Sequence, residues 1–377
     1  MYKSRFLVRN TLNDFKIEDR LFRYSRFISK LYNYCKSLGF EPGKIMPSRA
    51  FCSDESQGYP IILITKHFGT FPFNHGMVGG VVATDRHAPH AEHGKDMVII
   101  QASHVGYDPH TKTFGIYRRT CTEHQDFSAN CGKIDSVVRW YEHEFVFAKN
   151  NIFIEKHGNE FFIVIDNQLL DESRIEGLFL NVEKLIDATN GGFAPMQSLS
   201  TAKRFRASNE IIKKFEDISD RTNIGKNLLA EYFYFKRQIP EEDIEGRSHL
   251  EINLINVMPW IVTSDAPLLE AAKVNTQVEF DRAFRTIVKE EGYRGKRVIY
   301  IAGLHIDISP DAGQLFPLTK FIPWAAFIQH GDGSQQTIEQ DELYEALKAQ
   351  SSENPDQIDM EKVISIMDHM AEVKIGE

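Results

Sequence analysis

Two uninterrupted runs of apolar, largely β-branched residues, each leading to a histidine, constrain this chain more than any other feature. Met97-Val98-Ile99-Ile100 runs into Ser103-His104, and Val298-Ile299-Tyr300-Ile301 runs into Leu304-His305-Ile306-Asp307. A strand with one wet face alternates apolar and polar residues, whereas a continuous run suits a strand covered on both faces, as in α/β sheets. The two runs echo one another faintly. Internal duplication and chance both account for that, since apolar strands ending near a histidine arise easily. Pro60-Ile61-Ile62-Leu63-Ile64 is of the same type and reads as another covered strand.

Around these runs the chain divides by period and punctuation. Leu21, Phe22, Tyr24, Phe27, Ile28, Leu31 and Tyr32 fall at three- and four-residue spacing and Gly39 and Pro42 end the pattern, so residues 1–45 read as an N-terminal helical segment. Residues 46–330 read as the main α/β domain. Within it a hairpin is expected from Asn151 through the turn Gly158-Asn159 to Ile165. An insertion at about 170–295 reads as mainly helical, and residues 331–377 as a polar helical tail.

Composition excludes more than it selects. With 44 basic and 53 acidic residues the net charge is -9, spread along the chain, which leaves no electrostatic footprint for nucleic acid. No stretch approaches the roughly 18 apolar residues of a membrane span, and the N-terminus lacks a signal-peptide core. A cytoplasmic protein with no membrane partner is the expectation. Four cysteines in 377 residues are no disulfide framework and read as metal ligands, catalytic thiols or core residues.

Three of the chemically versatile residues stand beside turns or small residues: Cys52 in Cys52-Ser53-Asp54-Glu55, His104 in Ser103-His104-Val105-Gly106, and Cys131 in Asn130-Cys131-Gly132-Lys133. Two thiolates and one imidazole are a known set for a zinc ion with an open fourth position. The spacing is long, unlike a compact structural finger, so two buried core cysteines remain the competing reading. Asp54 lies two residues after Cys52, and in extended backbone residues i and i+2 point the same way, which sets a carboxylate beside the metal. Cys35 and Cys121 carry no such surroundings. The run Asn74-His75-Gly76-Met77-Val78-Gly79-Gly80 lacks the order of a phosphate-binding loop and suits close backbone packing.

The sequence of Cys-Ser-Asp-Glu at Cys52–Glu55, a glycine-rich turn, the His87-Ala88-Pro89-His90 segment, Ser103-His104-Val105-Gly106, Arg118-Arg119 and Cys131-Gly132 resembles the limiting-CO2-inducible protein B/C family. That family is a branch of the β-type carbonic anhydrases that includes the theta enzymes. The resemblance covers about Pro47 to Lys133, with a weaker echo at Ile301–Asp307 followed by Phe316 and Phe321. It implies an α/β fold with a mostly parallel sheet flanked by helices, added helices at both ends, and a homodimer. It implies Zn2+ on Cys52, His104 and Cys131, with Asp54 orienting the water. The implied reaction is reversible hydration of CO2 to bicarbonate by metal-bound hydroxide. His75, His87, His90 and His93 are candidates for moving the proton, His90 foremost.

One departure bears on catalysis. The β-type enzymes pair the aspartate with an arginine two residues on, whereas this chain has Ser56 there. Arg49, Arg86 or Arg119 would have to supply the guanidinium, with Arg119 matching the family's arginine before the last ligand. Without one, Asp54 could close the metal site, and the chain would be a catalytically silent zinc protein that binds bicarbonate or a protein partner. A zinc hydrolase with a deep cleft shaped by the insertion is a third reading. His87, His90 and His93 recur every third residue, but Pro89 breaks any helix aligning them, and a solvated loop is the simpler account. His305 and Asp307 fit either an approach to the site or a satisfied core histidine and a capping aspartate.

Overall fold

The computed structural model describes residues 15–83, 95–119, 127–188, 192–214, 220–224, 227–240, 246–311, 314 and 317–370. The chain forms two compact units, one running to Cys131 and resuming at Ala272, the other Gly132–Ala271.

In the first unit β1 (Phe22–Arg23) leads into α1 (Tyr24–Ser37), where Tyr24, Phe27, Ile28, Leu31, Tyr32 and Cys35 make the buried stripe that the sequence spacing anticipates. Then follow β2 (Ile45–Ala50), a short 3-10 turn (Glu55–Gln57), α2 (Gly58–Phe68), β3 (Phe73–Asn74) and the long β4 (Asp96–Asp108). Three short strands, β5 (Thr113–Phe114), β6 (Ile116–Arg118) and β7 (Phe127–Ala129), carry the chain to Cys131.

The Pro60–Ile64 run, expected as a strand, is instead the middle of α2. Pro60, Leu63, Ile64, His67 and Phe68 are buried at helical spacing while Ile62 is 46% exposed, which a strand covered on both faces would not allow. Gly69, at φ 77°, ends the helix in the left-handed region that glycine enters without strain.

The second unit begins with α3 (Gly132–Asn150) and the hairpin β8 (Ile152–His157) to β9 (Glu160–Asp166), turning at Gly158 as the sequence indicates. It continues with β10 (Gly177–Leu180), α4 (Val182–Leu185), β11 (Gln197–Ser198), β12 (Ala202–Arg206), α5 (Asn209–Lys214), β13 (Arg221–Asn223) and β14 (Phe233–Lys236). Strands β11-β12-β9-β8-β13 make an antiparallel sheet and β10 pairs with β14. The stretch 170–295 is therefore mixed; helix dominates only its later part, in α6 (Arg247–Ile255), α7 (Met258–Val262) and α8 (Pro267–Ile287). Strands such as Ala202-Lys203-Arg204-Phe205-Arg206 hide from a search for apolar runs because only one of their faces is buried.

From Ala272 the first unit resumes with most of α8, then β15 (Val298–Ile308), β16 (Leu318–Gln329), β17 (Gln335–Glu339), α9 (Gln340–Lys348) and α10 (Met360–Asp368). The region after Gly331 thus adds a strand to the sheet before it turns helical. The sheet order is β1-β16-β15-β4-β2-β3, with β17 on β16 and β5 on β4. Its centre, β3-β2-β4-β15, is parallel, and the flank from β15 to β16 and β1 is antiparallel. This is the α/β architecture with a mainly parallel central sheet flanked by helices. The two apolar runs are neighbours in it, paired in register with His305 opposite His104 and Asp307 opposite Gly106. Both are buried nearly end to end, which by itself favours apolar residues in each. Phe27 of α1 stacks on Phe321 of β16 with ring centroids 3.8 Å apart, inside a core that also takes in Ile28, Leu31, Ile100 and Ile301. Each such side chain contributes about 1.5–3 kcal/mol on burial.

Candidate metal centre

The loop after β2 carries Cys52, β4 carries His104, and the turn after β7 carries Cys131. Their ligand atoms lie within 4.8 Å of one another, and all three residues are buried. Both thiols are free, with Sγ atoms 3.8 Å apart. Nε2 of His104 is buried with no hydrogen-bond partner, whereas its Nδ1 lies 3.0 Å from Oδ2 of Asp307. A buried imidazole nitrogen left bare beside two thiols is costly unless something binds there.

The electrostatics of the trio favour a thiolate. Hydrogen bonding from Cys131 holds the Cys52 thiol well below the ordinary cysteine value against the effect of burial, with further help from His104 and the Gly79 amide. That same bond, together with burial, pushes Cys131 up. Burial works against a charged His104, yet electrostatic attraction to the cysteine pair and the bond to Asp307 raise it well above the ordinary histidine value. These are conditions under which a soft cation displaces protons.

The glycine run is built against this centre. Gly79 donates its N–H to Cys52 Sγ at 3.3 Å. Gly80 has φ +83°, and a Cβ there would lie 2.2 Å from the carbonyl oxygen of Ala102, two residues before His104. Asn275 of α8 ties the arrangement together by donating to Gly79 O at 3.0 Å and to Ser103 Oγ at 2.9 Å. Gln101 adds a bond to Gly80 O at 3.1 Å.

Asp54 has extended backbone and caps the 3-10 turn, its Oδ1 accepting from the Ser56 amide at 3.2 Å. Its Oδ2 lies 3.6 Å from a guanidinium nitrogen of Arg119, which also bonds Glu55 and Ser128 and sits over the Tyr117 ring. Among the described residues, Arg119 is the candidate arginine that pairs with Asp54. Arg86 lies outside the described residues, as do His87, His93, Cys121 and the expected proton carrier His90.

His75 is buried, its Nδ1 bonded to Ser48 Oγ at 2.6 Å, and burial together with Arg49 lowers it to about 3. It stays neutral at physiological pH and is a poor carrier of protons there. Cys35 is a fully buried core residue of α1. His305 donates from Nδ1 to Gln57 Oε1 at 2.6 Å and packs edge-on against Tyr24 and Phe51.

Sequence reading did not single out Gln57, Asn130 and Thr319, and it treated Ser56 only as a missing arginine. All four join a buried hydrogen-bond cluster on Asp307 beside His104. The signal available was the parallel between the two apolar strands, which pointed at Asp307 without saying what it touched.

No family model matches the sequence, and no curated protein matches it. Among solved structures, the chain is similar to PtLCIB4, a homologue of the limiting CO2-inducible protein LCIB, at 10% identity and a TM-score of 0.48, covering 88% of this chain and 99% of that one. It is similar to LCIB itself at 10% identity and a TM-score of 0.45, covering 85% of this chain and 95% of that one. Both scores lie below one half, so the chemistry of the site rests on its own residues. Among the described residues no helix is long and apolar enough to cross a membrane.

Proposed function

We propose that this chain is a zinc protein that catalyses the reversible hydration of CO2 to bicarbonate. The observation that carries the reading is the bare, buried Nε2 of His104 facing two free thiols. For a tetrahedral zinc with Zn–S bonds of about 2.3 Å the two sulfurs should stand about 3.8 Å apart. The observed separation of Cys52 and Cys131 is 3.8 Å, which suits that ion. Cys52, His104 and Cys131 would hold it, two thiolates balancing its charge.

When bound, zinc supplies acidity, bringing a water within reach of deprotonation near neutral pH. The remaining work falls to the chain. Asp54, anchored through one oxygen to the Ser56 amide, keeps its other oxygen available to accept a hydrogen bond from the attacking water. Arg119 fixes the direction of that carboxylate, and its bonds to Glu55 and Ser128 fix Arg119 in turn. The N–H of Gly79 takes up part of the negative charge on Cys52.

The silent-zinc alternative drew its support from Ser56. Arg119 on Asp54 answers that objection and favours the enzyme. The family resemblance supports a homodimer, which sedimentation equilibrium would test. The deciding experiment is stopped-flow CO2 hydration on protein whose zinc content has been measured. One zinc per chain with hydration well above buffer is the expected result; one zinc with none from about pH 6 to 9, a range spanning a metal-water pKa near 7, would return the chain to the silent class.

A further inference from the structure

Asp307 is fully buried and accepts four hydrogen bonds. His104 Nδ1 at 3.0 Å, Ser56 Oγ at 2.9 Å and Gln57 Nε2 at 2.8 Å converge on Oδ2, and Thr319 Oγ1 at 3.1 Å reaches Oδ1. A carboxylate facing Nδ1 of an imidazole selects the form with the proton on that nitrogen and leaves the lone pair on Nε2. In His104 that second nitrogen is the bare one turned toward the thiols.

We infer that Asp307 is the positioning residue of the metal centre: it holds His104 in the Nδ1–H form with Nε2 aimed at the ion, and Ser56, Gln57 and Thr319 hold Asp307 in place. The inference rests on the metal reading above and adds the group that makes the imidazole a fixed ligand.

The same geometry assigns position 56 a purpose. Ser56 is buried, and its hydroxyl donates to Asp307 while accepting from Gln57 Nε2 at 3.1 Å and Asn130 Nδ2 at 3.2 Å. Its oxygen has no spare capacity. Position 56 therefore serves the histidine ligand, and the guanidinium for Asp54 comes from Arg119 instead. Gln57 is orientated from its other end by His305, whose Nδ1 donates to Oε1, so its amide nitrogen is the atom that faces Asp307. Sheet register makes the meeting possible: Asp307 lies opposite Gly106, which shares a strand face with His104 two residues away.

The test is zinc affinity by chelator competition on the full chain, beside Asp307→Asn, Asp307→Ala and Ser56→Ala, with cobalt(II) as a spectroscopic probe. Asp307→Asn keeps the shape of the network and should weaken zinc about 10- to 100-fold, with Asp307→Ala worse and Ser56→Ala severalfold weaker than wild type. The ligand-field bands of cobalt should shift in the Asp307 variants while the thiolate charge-transfer band persists, because both cysteines remain. A general loosening of the fold would lower both signals together. Wild-type affinity and unchanged cobalt bands in Asp307→Asn and Ser56→Ala would overturn the assignment. A wild-type chain that takes up no zinc would overturn the metal reading itself, a result distinguishable because it needs no variant.

Discussion

Arg119 sets a guanidinium nitrogen 3.6 Å from the carboxylate of Asp54, across 65 positions of sequence, and fastens its own Nε to Glu55. The two form an ion pair, so loss of either member should misdirect the other. Asp54→Asn and Arg119→Gln are each expected to reduce CO2 hydration about 100-fold, a typical worth for a positioned proton acceptor, while zinc content stays at one per chain. Arg119→Lys should not restore the rate, since an ammonium cannot reach Asp54, Glu55 and Ser128 from a single planar fork. Metal-normalised stopped-flow rates check this. Full activity in Arg119→Gln would remove Arg119 from the site.

Zinc should stabilise the fold as well as act in it. With free zinc at 100 times its dissociation constant, linkage adds about 2.7 kcal/mol, and calorimetric melting with zinc and with a chelator should show the difference. Cys131→Ser replaces a soft ligand and is expected to abolish most of that gain. An unchanged melting temperature on metal removal would mean that the three ligands do not hold a zinc ion together.

Gly80→Ala tests the backbone contact that seats the glycine run. The added Cβ would meet Ala102 O at 2.2 Å in a residue already at φ +83°. A loss of about 3 kcal/mol in denaturant unfolding is expected, from strain and clash combined. Zinc affinity should fall too, because the amide of Gly79 loses its aim at Cys52. Gly58→Ala, where nothing lies within 4 Å, is the control and should be close to neutral.

His75 gives the fold a dependence on acid. Its folded value, about 3, lies below the unfolded 6.5, so the unfolded chain takes up the proton first as pH falls. The stability due to neutral His75 is complete above about 6.5 and drains away toward 3. Between pH 6.5 and 5 the loss from this residue alone is roughly 1.6 kcal/mol. His75→Gln, which does not titrate, should flatten the profile by that amount. Equal losses of urea-unfolding free energy between the two pH values in wild type and His75→Gln would show that His75 is not buried neutral.

The Cys52, His104 and Cys131 cluster and the two central strands were legible because each leaves a local trace: a thiol or imidazole among small residues, and an apolar run too long for a half-wet strand. The run Pro60–Ile64 misled because a short apolar stretch fits a strand and a buried helix equally, and the deciding trace lay outside it, in Phe68 and the capping Gly69. In the second unit the β8–β9 hairpin left its trace in the turn at Gly158, whereas β12 was hidden by its basic residues. Ser56, Gln57, Asn130 and Thr319 had no local trace at all. Their role exists only once the partners are in contact, with 251 positions separating Ser56 from Asp307.

The pairing of β4 with β15 sets His104 level with His305 and brings Asp307 to its imidazole. A slip of one residue would turn Asp307 to the opposite side of the sheet and leave the histidine without its carboxylate. On the metal reading, a chain misaligned in this way would hold zinc about 10- to 100-fold more weakly, the loss expected when a histidine ligand is without its carboxylate. In a refolding mixture, a population of chains with weakened zinc affinity would then report central strands that have paired out of register.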